Sequence, residues 1–227
     1  LSMYKAVFLD FYGTLVHEDD VFIEEICQRI LTSTGTSPQA TTKDIGIYWW
    51  NSFSEKFQSA YGDNFKTQRE IEISSLEDTI AFYKSSENPR ELSEILFEHW
   101  QCSQLFEDVK PFLESIRTPI IILSNIDRDD IQSAIHHNGL SFENMITSED
   151  VKSYKPRPEM FQKALKTYNL DPTEALHVGD SLTSDVAGAQ RAGIKVAWMN
   201  RKNKVLPQNV SPDYVVRSLE ELIPLLA

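Results

Sequence analysis

The ten residues Val7 to Val16, VFLDFYGTLV, constrain this chain more than any other stretch. Val7, Phe8 and Leu9 are an apolar run of strand formers, closed by a turn signal at Gly13-Thr14. A short run without polar alternation marks a strand buried on both faces, which requires helices on either side of a parallel sheet. Asp10 falls where that strand should stop, so its carboxylate is expected at the carboxyl end of a central strand. In open α/β sheets that edge binds ligands. Gly13 permits a tight turn that a side chain would obstruct. Alone, D-x-x-G-T also describes a strand followed by an Asx turn. The remainder of the chain decides between them.

The strand pattern returns at Pro119, with Ile120 to Leu123 ended by Ser124-Asn125. A helix is expected from Arg128 to His137, stopped by Asn138-Gly139. Further strands are expected at Met145–Thr147, Ala175–Val178, Lys195–Met199 and Tyr214–Val216. Helices are expected at Pro158–Tyr168, Asp185–Ala192 and Leu219–Leu226. Strands alternating with helices give a Rossmann-like parallel sheet core flanked by helices, an α/β fold.

Between the first two strands the character changes. Val21, Phe22, Ile23, Ile26, Ile30 and Leu31 recur at helical spacing, and Ser33 to Thr42 has the composition of a loop. Asp44 fits an N-cap before Ile47, Tyr48, Trp49 and Phe53; two more helices are expected at Ile71–Tyr83 and Arg90–Cys102. No strand-like run appears from Val21 to Cys102. The expected organisation is a core of residues 1–16 and 103–227 with an inserted all-helical domain of residues 17–102.

Charge and composition exclude several classes. A formal net charge of -12 leaves nothing to offset phosphate repulsion, so nucleic acid is excluded as a natural partner. A small anionic substrate remains open if local cations or a metal hold it. No run approaches ~18 apolar residues, so no membrane helix is expected. Cys27 and Cys102 form no C-x-x-C motif, which favours a reducing compartment. The opening Leu1-Ser2-Met3 lacks the regions of a signal peptide, and a cytoplasmic location is expected, with Met3 as initiator. Oligomeric state is not legible.

If the strands are parallel neighbours, Asp10, Ser124-Asn125 and Asp180 meet at one sheet edge, joined by Asp185 and by Lys155 of Ser153-Tyr154-Lys155-Pro156. Three carboxylates so close repel one another unless a cation intervenes. A hard divalent ion with oxygen ligands, Mg2+, resolves the conflict. Lys155 adds a fixed positive charge and Ser124 a hydroxyl donor for a phosphoryl or carboxylate group.

In this ordered set the chain resembles the haloacid dehalogenase superfamily of hydrolases. The resemblance rests on Asp10-Phe11-Tyr12-Gly13-Thr14, Ser124-Asn125, Lys155-Pro156, and Gly179-Asp180-Ser181 followed by Asp185. It implies that Asp10 is the nucleophile of a covalent aspartyl intermediate. Ser124 would hold the transferred group, Asn125 would support the cleft, and Lys155 would neutralise charge. Tyr12, Gly13 and Thr14 would line the substrate site. The metal would be held by Asp10, Asp180, Asp185 and the backbone carbonyl of Tyr12, and the helical insertion would be the family's cap.

Tyr12 departs from the family's phosphatases, which place a second aspartate there to protonate the leaving oxygen and activate water. Such help is typically worth ~10²–10⁴-fold, and a phenol with pKa near ~10 is not a base at neutral pH. The family's 2-haloacid dehalogenases carry D-x-Y-G-T, since a halide leaves without a proton. Those enzymes need no metal and place an arginine in the cap roughly thirty residues after the nucleophile. Here that region reads Gln39, Ala40, Thr41, Thr42 and Lys43, while Asp180 and Asp185 keep the metal-site acids. Two features against one favour a magnesium-dependent phosphatase of a small phosphorylated metabolite. Three alternatives stay open: a 2-haloacid dehalogenase; carbon–phosphorus cleavage using Lys43, Lys56, Lys66 or Lys84; and a non-catalytic binder of a phosphorylated ligand. His17 is close enough in sequence to face the cleft. His136 and His137 read as helix-end residues, His177 as a packed strand residue, and Trp49, Trp50, Phe53 and Phe57 chiefly as core of the insertion.

Overall fold

The computed structural model describes residues 3–35 and 40–227. Six strands form one parallel sheet in the order β3-β2-β1-β4-β5-β6. They are β1 Ala6–Leu9, β2 Ile120–Ser124, β3 Met145–Thr147, β4 Ala175–Gly179, β5 Lys195–Met199 and β6 Tyr214–Val216. All of β1 is buried, with Leu9 beside Ile122 on one flank and Val178 on the other. The chain builds β2 and β3 on one side of β1, then β4, β5 and β6 on the other. The order therefore reverses at β1, and its carboxyl end opens on a crevice.

Alternate side chains of the strands feed two apolar layers. Val7, Leu9, Ile122, Leu176 and Val178 face one way, with Val109 and Phe112 of α5 (Val109–Ser115) and Ile131 of α6 (Arg128–His137). Phe8, Ile121, Leu123, Val196 and Trp198 face the other, with Met160 and Phe161 of α8 (Glu159–Thr167). Short helices complete the core: α7 (Ser148–Val151), α9 (Gly188–Arg191) and α10 (Ile223–Leu226).

Before α5, four longer helices follow β1: α1 (Asp20–Thr32), α2 (Thr42–Ser59), α3 (Gln68–Tyr83) and α4 (Pro89–Cys102). Among the described residues from 20 to 102 there is no strand, only a bridge between Thr34 and Ser85. Ile26, Ile30, Leu76, Leu92, Leu96 and Trp100 join the same apolar cluster as Leu9 and Val16. Polar contacts fasten the insertion as well. The α3 amides of Gln68 and Arg69 donate to Asp127 Oδ1 and Oδ2 at 2.8 and 3.0 Å, so a core carboxylate caps a helix of the insertion. Arg69 Nε donates to Asp130 Oδ2 at 2.8 Å, and Tyr154 O–H donates to the Lys66 carbonyl at 2.6 Å. No helix among the described residues is long and apolar enough to cross a membrane.

Several local expectations are corrected. Asp44 is not the N-cap of α2. Thr41 is, accepting from Asp44 N at 3.2 Å while the Asp44 carboxylate accepts from Thr41 N at 2.8 Å, a reciprocal capping box. In the expected loop at 33–42, residues 36–39 lie outside the described residues. The helix expected at 185–192 is two pieces: Leu182–Ala187 is wound as a wider π-turn capped by Ser181, and α9 follows. The terminal helix likewise begins as a 3₁₀ turn at Leu219–Leu222 before α10. α5 and α7 were not anticipated, being too short for periodicity to reveal.

Arg201, just beyond β5, ties three segments together. Its Nε and Nη2 donate to the Thr14 carbonyl at 3.2 and 2.8 Å, and Nη1 and Nη2 donate to Asp108 at 3.0 Å each. The guanidinium also lies 3.9 Å from the Phe106 ring centroid. Arg201→Ala is expected to lower unfolding free energy by about 2 kcal/mol, the scale of losing hydrogen bonds to a charged group. Arg201→Lys should recover only part of it, because an ammonium lacks the planar fork. Urea denaturation of the two variants checks both.

Candidate active site

The sheet register brings the separated motifs together. Asp10 follows β1 directly, Ser124 ends β2, Asp180 follows β4, and Lys155 comes from the loop between α7 and α8. Lys155 is 1% exposed, and its ammonium donates to Asp10 Oδ1 at 2.9 Å, Asp185 Oδ1 at 2.7 Å and the Leu123 carbonyl at 2.9 Å. An ammonium has three N–H donors, and all three are used. Burial opposes its charge, but Asp10 and Asp185 more than offset that and hold the group above its ordinary pKa.

Asp185 is the best-satisfied acid. Besides Lys155, its Oδ1 contacts His177 Nε2 at 2.8 Å, and its Oδ2 accepts from Ser181 N at 3.1 Å. Burial works against ionisation here too, yet Lys155 and His177 hold the carboxyl well below the usual range. Burial pushes the His177 pKa down, with Asp185 partly offsetting it, and facing a carboxylate Nε2 acts as the donor. His177 is therefore more than the packed strand residue expected, although it also meets Phe161 edge-on at 5.1 Å. An imidazole in an otherwise apolar strand, ALHVG, was the available signal.

Asp10 and Asp180 are less well compensated. Burial pushes Asp10 up to about 7, with Lys155 pulling back and Asp185 adding repulsion. Burial, followed by the charges of Asp10 and Asp185, pushes Asp180 up to about 9. Oxygens of Asp10, Asp180 and Asp185 all lie within 4.8 Å of one another. One buried ammonium cannot neutralise three carboxylates, and a hard cation with oxygen ligands fits the donor set that remains. Two glycines make the approach possible. A Cβ on Gly13, which sits at φ +81°, would lie 2.6 Å from Asp180 Cγ, and one on Gly179 would lie 2.1 Å from Asp185 Cγ.

The remaining motif residues surround these acids. Buried Ser124 accepts from Ile126 N at 3.2 Å through Oγ, leaving its own hydroxyl proton for another partner. Asn125 clasps the lysine loop, accepting from Lys155 N at 2.8 Å and donating to the Lys155 carbonyl at 3.1 Å. Thr14 Oγ1 donates to Asp10 Oδ2 at 3.4 Å. The Tyr12 hydroxyl donates to the Trp100 carbonyl, at the end of α4. Burial, with Asp130, Asp19 and Asp10 adding to it, pushes that phenol well above its ordinary pKa. It is a neutral, committed donor.

A cavity of about 220 Å³ opens over Asp10, Ser124, Lys155, Asp180 and Asp185, with Tyr12, Asp19 and Trp100 on its far wall. Lys155 is the only basic side chain among the described residues that line it. His17 instead packs at a tilt against Phe106, with ring centroids 4.0 Å apart, outside this cavity. His136 and His137 end α6, and Lys43, Lys56, Lys66 and Lys84 do not line it.

The haloacid dehalogenase-like hydrolase family model matches residues 4–193. The chain belongs to this family. It is a hydrolase. Among curated haloacid dehalogenase-like relatives, the pyrophosphatase PpaX of Bacillus cereus is 29% identical over 233 residues, covering 98% of this chain and 96% of that one. PpaX of Bacillus mycoides is 25% identical over 234 residues, covering 98% and 97%. Among solved structures, the L-2-haloacid dehalogenase RSc1362 superposes with a TM-score of 0.79 at 18% identity, covering 98% of both chains. Magnesium-bound YfnB from Bacillus subtilis, a putative hydrolase of the family, does so at 0.72 and 22%, again covering 98% of both. At such identities the superpositions establish the fold.

The raised pKa values fix a sign. Asp10, at about 7, and Asp180, at about 9, retain protons in the folded state that the unfolded chain has lost. Stability in divalent-free buffer should therefore fall as pH rises from 7 to 9. Magnesium chloride should restore more at pH 9 than at pH 7, since a cation replaces the missing protons. Urea midpoints at both pH values, with and without the salt, check this.

Proposed function

We propose that this hydrolase is a magnesium-dependent phosphatase acting on a small phosphorylated metabolite. The observation that carries the reading is the trio of Asp10, Asp180 and Asp185 beside a single buried ammonium. Such a charge imbalance suits a metal and an anionic substrate together. The pyrophosphatase relatives and magnesium-bound YfnB support it. In this reading residues 17–102 close as a cap over a core of 1–16 and 103–227, and the protein works in the cytoplasm.

Asp10, Asp180, Asp185 and the Tyr12 carbonyl would hold Mg2+, which polarises the phosphoryl oxygens and screens them from the acids. Lys155 fixes Asp10 through its Oδ1, leaving the other carboxylate oxygen to attack phosphorus as the ester oxygen departs. Ser124 donates its hydroxyl to a phosphoryl oxygen, and Asn125 holds the lysine loop in register. Water then releases phosphate from the aspartyl phosphate and regenerates Asp10. Tyr12 does not assist either proton transfer, because its hydroxyl is spent on the Trp100 carbonyl. Slow turnover is the consequence, with a preference for good leaving groups.

The dehalogenase reading keeps one point in its favour, the tyrosine at position 12. Against it, no arginine is present among the described residues lining the cavity to grip a carboxylate. Inorganic phosphate release across a panel of phosphate esters should require magnesium, and Asp10→Asn should abolish it. Chloride release from 2-chloropropionate, without phosphate release from any ester, would overturn the assignment. Tyr12→Asp should raise ester hydrolysis by ~10²-fold, the lower end of general acid–base assistance.

A further inference from the structure

A second cavity, of about 210 Å³, adjoins the first inside the helical insertion and shares Asp19, Gln68 and Trp100 with it. Its walls are aromatic: Trp49 and Trp100 are buried, while Trp50 stands at the rim stacked on Phe53 with ring centroids 5.9 Å apart. An apolar cavity of ~150 Å³ accommodates benzene, so the volume here is sufficient for a substituted ring. The indoles are positioned by hydrogen bonds. Trp49 Nε1 donates to Ser75 Oγ at 3.0 Å, and Trp100 Nε1 donates to Asp19 Oδ2 at 3.1 Å.

The polar atoms in this aromatic box call for a donor. Glu72 of α3 is 6% exposed and lines the cavity. Gln68 Oε1 is buried with no hydrogen-bond partner. No lysine, arginine or histidine occurs among the described residues lining it. The bases nearby in the same helices are engaged elsewhere, Arg69 with Asp130 and Lys56 with Asp78. Burial, with the Asp19 charge adding and Trp49 partly offsetting, pushes the Glu72 carboxyl up to about 8, as expected of an acid lacking a cationic neighbour.

We infer that this cavity receives the leaving group of the substrate, and that this group is an aromatic amine-bearing alcohol whose ammonium pairs with Glu72 and Gln68 between the indole faces. The inference rests on the phosphatase reading for the word substrate, and on the cavity alone for the ligand chemistry. Indole faces attract a cation, and a desolvated carboxylate favours it further. A second phosphate at this place would meet Asp19 and Glu72 with no base to hold it. Pyrophosphate, which the curated relatives' names indicate for those proteins, is therefore a poor fit for this chain.

Calorimetric binding of 2-phenylethylamine, phenethyl alcohol and phenylacetate to the full chain tests the cavity without requiring turnover. The amine should bind at least ten-fold more tightly than the carboxylate, and Glu72→Gln should remove most of that preference. Trp50→Ala, at an exposed rim position, should weaken the amine and the alcohol alike. Equal affinity for amine and carboxylate, a preference untouched by Glu72→Gln, or an amine affinity untouched by Trp50→Ala, overturns the inference. A parallel assay compares tyramine O-phosphate with pyrophosphate in the presence of magnesium, and kcat/KM should favour the ester at least ten-fold. Faster hydrolysis of pyrophosphate also overturns it. Amine-selective binding without hydrolysis of any ester would uphold the cavity assignment and remove the phosphatase reading instead.

Discussion

A lysine ammonium sealed beneath the sheet edge is the contact on which this site depends. Lys155 reaches Asp10, Asp185 and the Leu123 carbonyl of β2 at once, so three separated segments are held to one point. Burying that ammonium alone would cost several kcal/mol, and the two carboxylates make it tenable. In return it fixes the direction of Asp10 through Oδ1, while Oδ2 accepts from Thr14 at a longer 3.4 Å. His177 and Ser181 then secure Asp185 from the other side. The result is a graded set of acids, from Asp185, well paired, to Asp180, least compensated.

The helical insertion is built into the site rather than laid over it. Trp100 receives the Tyr12 hydroxyl at its carbonyl and gives its indole proton to Asp19, so one residue of α4 is gripped from two places near the nucleophile. Asp127 caps α3 from the core, and Arg69 returns the contact through Asp130. Polar pairing and a shared apolar layer act together there. The aromatic cavity and the acid cluster consequently meet along a common wall.

The architecture was readable because a parallel sheet needs uninterrupted apolar strands, and VFL, IIIL and AL-V stand out against helical periodicity. The motif residues were readable for a related reason: each polar group falls where a strand must end. Less was visible wherever a role depends on a partner distant in sequence. Nothing near Arg201 announces Thr14 and Asp108, and nothing near Asp127 announces the amides of Gln68 and Arg69. His177 was hidden by its strand, and Tyr12 by its side-chain chemistry: its hydroxyl serves a backbone carbonyl 88 residues away. Asp44 reads as a cap in the sequence because cap and third-position acids differ only by the reciprocal bond with Thr41.

The Tyr12 link to Trp100 has a bearing on how molecules enter and leave. Any swing of α4 wide enough to admit a ligand parts that phenol from the peptide oxygen it satisfies. Water must then solvate each before the helices part fully. The phenol–carbonyl contact is thus broken in such an opening together with the polar ties of Asp127 and Asp130 to α3.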